Sequence, residues 1–365
     1  MTPVLGAAEA FSYVLSFAGF SVLIILHEFG HFALAKATGM RVERFALFFP
    51  PLIAKKRVGE TEYGIGAVPL GGFVKISGMN PEEDLPPEVQ PRAYYRQPVW
   101  KRVVVILAGP VVNLLIAFLL LFGLAFGTAK ITSKVGSIKQ SSPAERVLRP
   151  GDRILAVDGR RGDELDFQKR ISSHHCASKP VDGCLAETPA VLRIDRDGRV
   201  KTVRVRPEYD AALKRTRIGF SFGTEPTDPD VLEAAGAAGS LMWAVTKGTV
   251  QAIVRIFDPE QREQISGVVG SYEITRQAFK FDLRRALALL AVISLSLAII
   301  NLFPFLPLDG GHVFWSLVEK VRGRPVAFGV MERAGVLGFL LVIFLFFIGL
   351  SNDIGRLTGG GFETR

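Results

Sequence analysis

Residues 23 to 32 read "LIILHEFGHF", placing two histidines and a glutamate among large apolar side chains. His27 and His31 stand four residues apart. On a helix they project about 40° apart on one face, close enough for two imidazoles to grip one ion. Glu28, one step round, can hold a metal-bound water and take its proton. HExxH chemistry joins two histidines on zinc to a carboxylate acting as general base. The bland alternative is a helical histidine pair satisfied by hydrogen bonds. It is costly here, because ionisable groups within an apolar span cost on the order of 2.5–3.5 kcal/mol each on insertion scales.

A catalytic zinc usually takes three protein ligands and leaves one position open. The chain has five histidines, His27, His31, His174, His175 and His312. The stretch "IINLFPFLPLDGGHVF" carries Asp309, the first charge after 23 uncharged residues, and His312 three places later. Asp309 offers a hard oxygen ligand and His312 is its rival. Alternatively, Asp309 caps a helix and binds nothing. Pro304 and Pro307 free backbone carbonyls and stop a straight helix. Broken backbone at membrane depth is tolerated where it lines a cavity, and exposed backbone there suits an extended peptide. Asn301, in this stretch, and Asn113, in "AGPVVNLL", either contact a substrate or hydrogen-bond between helices.

The elements that must position these groups are long and apolar. The chain has 365 residues, 48% of them hydrophobic, with a mean hydropathy of +0.29. Residues 10–26 carry no charge; Arg102 and Lys130 bracket 27 uncharged residues, and Arg333 and Asp353 bracket 19. A bilayer needs about 20 apolar residues per helix, so the expected fold is a polytopic α-helical membrane protein with about four spans. The expected spans are 1–35 with HExxH, 102–127, 285–308 leading into Asp309, and 333–352. The start lacks a basic segment and a small-residue cleavage site, so the first span reads as retained.

Lys and Arg crowd the loop 36–101 and the short loop 309–332, which the positive-inside rule places in the cytoplasm. Both termini, including the tail 353–365, then lie outside, as does the large segment between spans two and three. Residues 57–79, around Gly71 and Gly72, alternate apolar and small residues and read as a cytoplasmic-side β-hairpin. Residues 128–210 read as a β-rich domain with turns at Pro150-Gly151-Asp152, Asp158-Gly159 and Asp197-Gly198. Residues 211–284 read as a linker and an amphipathic helix, 231–257, lying on the outer membrane surface. Cys176 and Cys184 are the only cysteines, and on the oxidising side they are expected to pair. A second metal site built from His174, His175 and these cysteines is the alternative. The formal charge of +9 fits loops at a membrane surface; no basic stripe interleaved with aromatics points to nucleic acid.

"HEFGH" in the first span, "GGFVKISGM" after it, "AGPVVN" in the second and "NLFPFLPLDGGH" in the third together resemble the site-2 protease family (peptidase M50). The resemblance is nearest to its bacterial regulator of sigma-E protease branch, and "RPGDRILAVDG" resembles part of a PDZ domain. It implies an intramembrane zinc metalloprotease with one zinc, held by His27, His31 and Asp309, with Glu28 as base. Asn113, Asn301, Gly71 and Gly72 would contact substrate or shape the site, the glycine hairpin resembling a membrane-reentrant β element. It further implies a bacterial inner-membrane location and a single-pass substrate of the anti-sigma type. An upstream extracytoplasmic protease would cut that substrate first. Three departures stand out: room for only one PDZ domain, Val268 where proline is usual, and Pro307 one place late. The rival readings are a membrane-bound PDZ scaffold with a structural metal, disfavoured by Glu28, and a metal transporter. The fourth span offers the transporter no ligand between Arg333 and Asp353.

Overall fold

The computed structural model describes residues 6–127, 129–211, 213–255, 258 and 267–359. Parts of the expected features fall outside these residues: the start at 1–5, Thr128 at the head of the β-rich domain, the end of the amphipathic helix at 256–257, and the tail from 360. Two compact units result, Met1–Ala125 with Val231–Arg365, and Phe126–Asp230. The first opens with helix α1 (Ala7–Ala37), which Thr38 ends by donating its hydroxyl to the Leu34 carbonyl at 2.7 Å. Strands β1 (Val42–Val58) and β2 (Thr61–Ile76) follow, then helix α2 (Val99–Ala125).

The β element is larger than the hairpin expected from residue 57. Pro50-Pro51 interrupts the strand pattern in the sequence, which hides β1. Both strands bend and fold back on themselves. Leu47 pairs with both Gly72 and Ile65, while Gly64 pairs with both Ala46 and Lys55. The order across the sheet is therefore 54–58, 61–65, 44–47 and 72–76. Residues 72–76 form an edge on which no other described strand pairs.

The second unit is an antiparallel sheet in the order β6-β5-β4-β3-β9: β3 (Ala129–Ile138), β4 (Arg153–Val157), β5 (Ala190–Arg196), β6 (Arg199–Val205) and β9 (Phe220–Pro226). Helix α3 (Glu164–Ser172) packs Phe167 and Ile171 into a core with Ile154, Leu192 and Ile194. β5 and β6 join through Asp197-Gly198, both at positive φ as a two-residue hairpin turn requires. Strand β9 corrects the expected linker: pairing of Phe222 with Val135 makes residues 220–226 part of the sheet. A short ribbon of β7 (Glu208–Asp210) and β8 (Arg215–Arg217) leads into it. Cys176 and Cys184 form a disulfide with Cα atoms 6.3 Å apart, so neither is available to a second metal site.

The first unit resumes with α4 (Val231–Val254), α5 (Val268–Phe281), α6 (Leu283–Asn301), α7 (Asp309–Arg322) and α8 (Phe328–Gly359). Among the described residues four helices are long and apolar enough to cross a membrane: Glu9–Ala37, Val99–Ala125, Leu283–Asn301 and Phe328–Thr358. The third ends seven residues before the expected 308, because Pro304 and Pro307 cannot continue the hydrogen-bond ladder. Helix α4, expected at the outer membrane surface, packs one face on its neighbours. Ala238 packs with Leu121 of α2 and Ala291 of α6, and Met242 and Val245 pack with Ala117, Leu295 and Ile299 further along. Alanines on its inner face permit that close approach. At the far side Asp353 of α8 accepts the amides of Gly267 at 3.0 Å and Gly270 at 2.7 Å. It thereby caps α5 from another helix.

Candidate metal centre

Helix α1 presents His27 and His31 on one face, each 7% exposed. Helix α2 meets that face antiparallel through a stripe at 105, 109 and 113, spaced one turn apart. The Val105 carbonyl accepts from His31 Nδ1 at 3.0 Å. Gly109 lies against both imidazoles, and a Cβ there would overlap the His31 ring. Asn113, fully buried, lies 3.2 Å from His27 Nδ1. "AGPVVN" is thus the surface that lets α2 close on the histidines.

Asp309 arrives on the first residue of α7, after the seven-residue break that follows Asn301. Its Oδ2 lies 3.3 Å from His27 Nε2 and 3.3 Å from His31 Nε2, and the two nitrogens are 3.3 Å apart. Oδ2 is buried without a hydrogen-bond partner. Helix α7 is held to α2 by Arg102, which donates to both Glu319 oxygens at 2.9 and 2.6 Å. That pair, invisible in the sequence because its members are 217 residues apart, fixes the helix that carries Asp309.

Three ligand-type atoms at the corners of an equilateral triangle fit one ion. Tetrahedral zinc bonds of ~2.0–2.1 Å require a ligand–ligand edge of about 3.3–3.4 Å. The His31 contact to Val105 also places its proton on Nδ1 and leaves Nε2 a lone pair. The donor set, two imidazoles and a carboxylate with a partnerless oxygen, suits zinc. Among the described residues no other group of three such side chains converges, and His312 is not part of this one.

Glu28 sits beside the triangle and faces β2. A Cβ on Gly72 would stand 2.8 Å from the Glu28 Cγ, so glycine lets the edge strand reach the carboxylate. Gly71 packs against the Phe49 ring. Asn301 ends α6, half-buried, and is joined to Asp309 by the proline loop. The sheet edge 73–76, with Met79, Asn80 and Glu83, lines a cavity of about 430 Å³.

The model of peptidase family M50 matches residues 15–345. Among curated proteins, the chain is 28% identical to one of Clostridium acetobutylicum, covering 94% of this chain and 97% of that one. It is 29% identical to one of Rhizobium meliloti, over 93% and 95%. With one of Nostoc the identity is 30%, over 95% and 97%. Each of the three carries the name "Putative zinc metalloprotease". With a match across nearly the whole chain and four helices able to span a bilayer, the chain belongs to peptidase family M50 and is a multi-pass membrane metalloprotease that uses zinc.

Proposed function

We propose that this metalloprotease cuts within or near the transmembrane segment of a single-pass substrate, with His27, His31 and Asp309 as zinc ligands and Glu28 as general base. The observation that carries the reading is the 3.3 Å triangle of ligand atoms with Glu28 between it and an open strand edge. Zinc, when bound, supplies Lewis acidity and lowers the pKa of a water. Glu28 takes the proton of the attacking water and returns it to the leaving amine. The edge 72–76, with Gly71 and Gly72, holds the substrate as an added strand, which demands that the substrate helix unwind there. Asn301 contacts the substrate backbone from the end of α6, where the proline loop begins.

The substrate is of the anti-sigma type, shortened first by an extracytoplasmic protease, in a bacterial inner membrane. The loops 36–101 and 309–332 face the cytoplasm. The sheet of β3–β6 and β9 acts as a PDZ-like domain outside, and both termini are on that side of the membrane. The test is Glu28→Gln. It should retain zinc yet leave a membrane-embedded substrate uncut in cells, and full cleavage by this variant would overturn the proposal.

A further inference from the structure

The His27 side of the centre differs from the His31 side. His31 has a backbone acceptor for its Nδ1 proton in Val105. Among the described residues His27 Nδ1 meets Asn113 alone, whose Nδ2 stands 3.2 Å away while Oδ1 is buried without a partner. A ring nitrogen that accepts from Nδ2 must carry its proton on Nε2, the atom aimed at Asp309 and His31. That tautomer cannot ligate through Nε2. Rotating the amide by 180° exchanges Oδ1 and Nδ2 almost in place. Oδ1 then accepts from Nδ1–H, and Nε2 regains its lone pair.

We propose that Asn113 is the positioning residue of His27, its Oδ1 fixing the Nδ1–H tautomer and the ring plane so that Nε2 faces the metal position. This rests on the metal-centre reading above. Asn113 is suited to the task because burial and its backbone contact hold it in place. The residue is fully buried, one turn beyond Gly109, and its own carbonyl accepts from the Ser294 hydroxyl of α6 at 2.9 Å. Helix α2 therefore supplies one outer acceptor to each histidine, a main-chain carbonyl to His31 and a side-chain carbonyl to His27. An amide is neutral, so the donor set keeps the charge that Asp309 alone gives it.

The probe is full-length protein in detergent, loaded with Zn²⁺ for competition against a chelator and with Co²⁺ for proton NMR. Loss of an outer partner typically weakens a metal site about 10–100-fold. Asn113→Leu should weaken zinc retention by that factor, and Asn113→Asp, which keeps an acceptor, should restore it. In the Co²⁺ protein two shifted imidazole N–H resonances should exchange slowly with solvent, and one of them should be lost in Asn113→Leu. Unaltered zinc retention in Asn113→Leu overturns the proposal, as does equal weakening in both variants. A single slow N–H in the unmodified protein overturns it too, with no variant needed. If instead the unmodified protein fails to hold one zinc dependent on His27 and Asp309, the metal-centre reading itself falls.

Discussion

Glu60 lies in the turn between β1 and β2, where Arg92 donates to both its oxygens at 2.7 and 2.8 Å and Lys36 donates at 3.0 Å. The Arg92 hydrogen bonds, opposed by partial burial and joined by Lys36, hold its carboxyl at about 2 instead of 4.5. A carboxylate with a depressed folded-state value stabilises the fold fully above the unfolded value and loses that contribution as pH falls through the folded one. The join between α1, the β element and the 90s loop should therefore loosen between about pH 4.5 and pH 2. Glu60→Gln should be less stable than the unmodified protein at pH 7, and the gap should close toward pH 2. Hydrogen exchange of residues 36–65 at several pH values would show it; a constant gap would rule it out. At this scale much was legible: His27, Glu28 and His31 announce themselves by spacing and by the solvent they occupy. Asn113 was legible as a polar residue in a span, but its partner was not. Which histidine it faces depends on how α2 is rotated against α1, and no local pattern encodes that.

Among the elements, α7 depends on one long-range tie. Arg102 is buried at the start of α2, and removing the Glu319 carboxylate leaves that guanidinium without its partner. Breaking a buried pair by deleting one member typically costs about 3–5 kcal/mol, with the lower end fitting because Glu319 retains some exposure. Glu319→Ala should lower the melting temperature and speed zinc loss, though it removes no candidate ligand. The exchanged pair Arg102→Glu with Glu319→Arg should recover part of both. Unchanged zinc loss in Glu319→Ala would mean that α7 is held by packing alone. Periodicity located the spans well, because uncharged runs are decisive whatever the tertiary contacts. It gave no packing partners for α4: an amphipathic face looks alike whether it meets lipid or the flank of two neighbouring helices. It also cut the β element short, since β1 crosses Pro50-Pro51 and is recognisable only through partners that pair with it twice.

For the molecule as a whole, the uneven loop charge should be readable as sidedness. A cysteine placed at Glu82, with Cys176 and Cys184 left in their disulfide, should resist a membrane-impermeant maleimide in intact cells and react once they are opened. A cysteine at Arg199 should react in both cases; the reverse pattern would invert the proposed topology. The distances within the metal triangle also have a consequence in time. Two of its corners are made within the first tenth of the chain and the third at residue 309 of 365. A nascent chain can therefore insert its first two spans, with both histidines already side by side, and still lack the third proposed ligand. The growing protein would stay catalytically silent through most of its own synthesis, protected by the order of its parts alone.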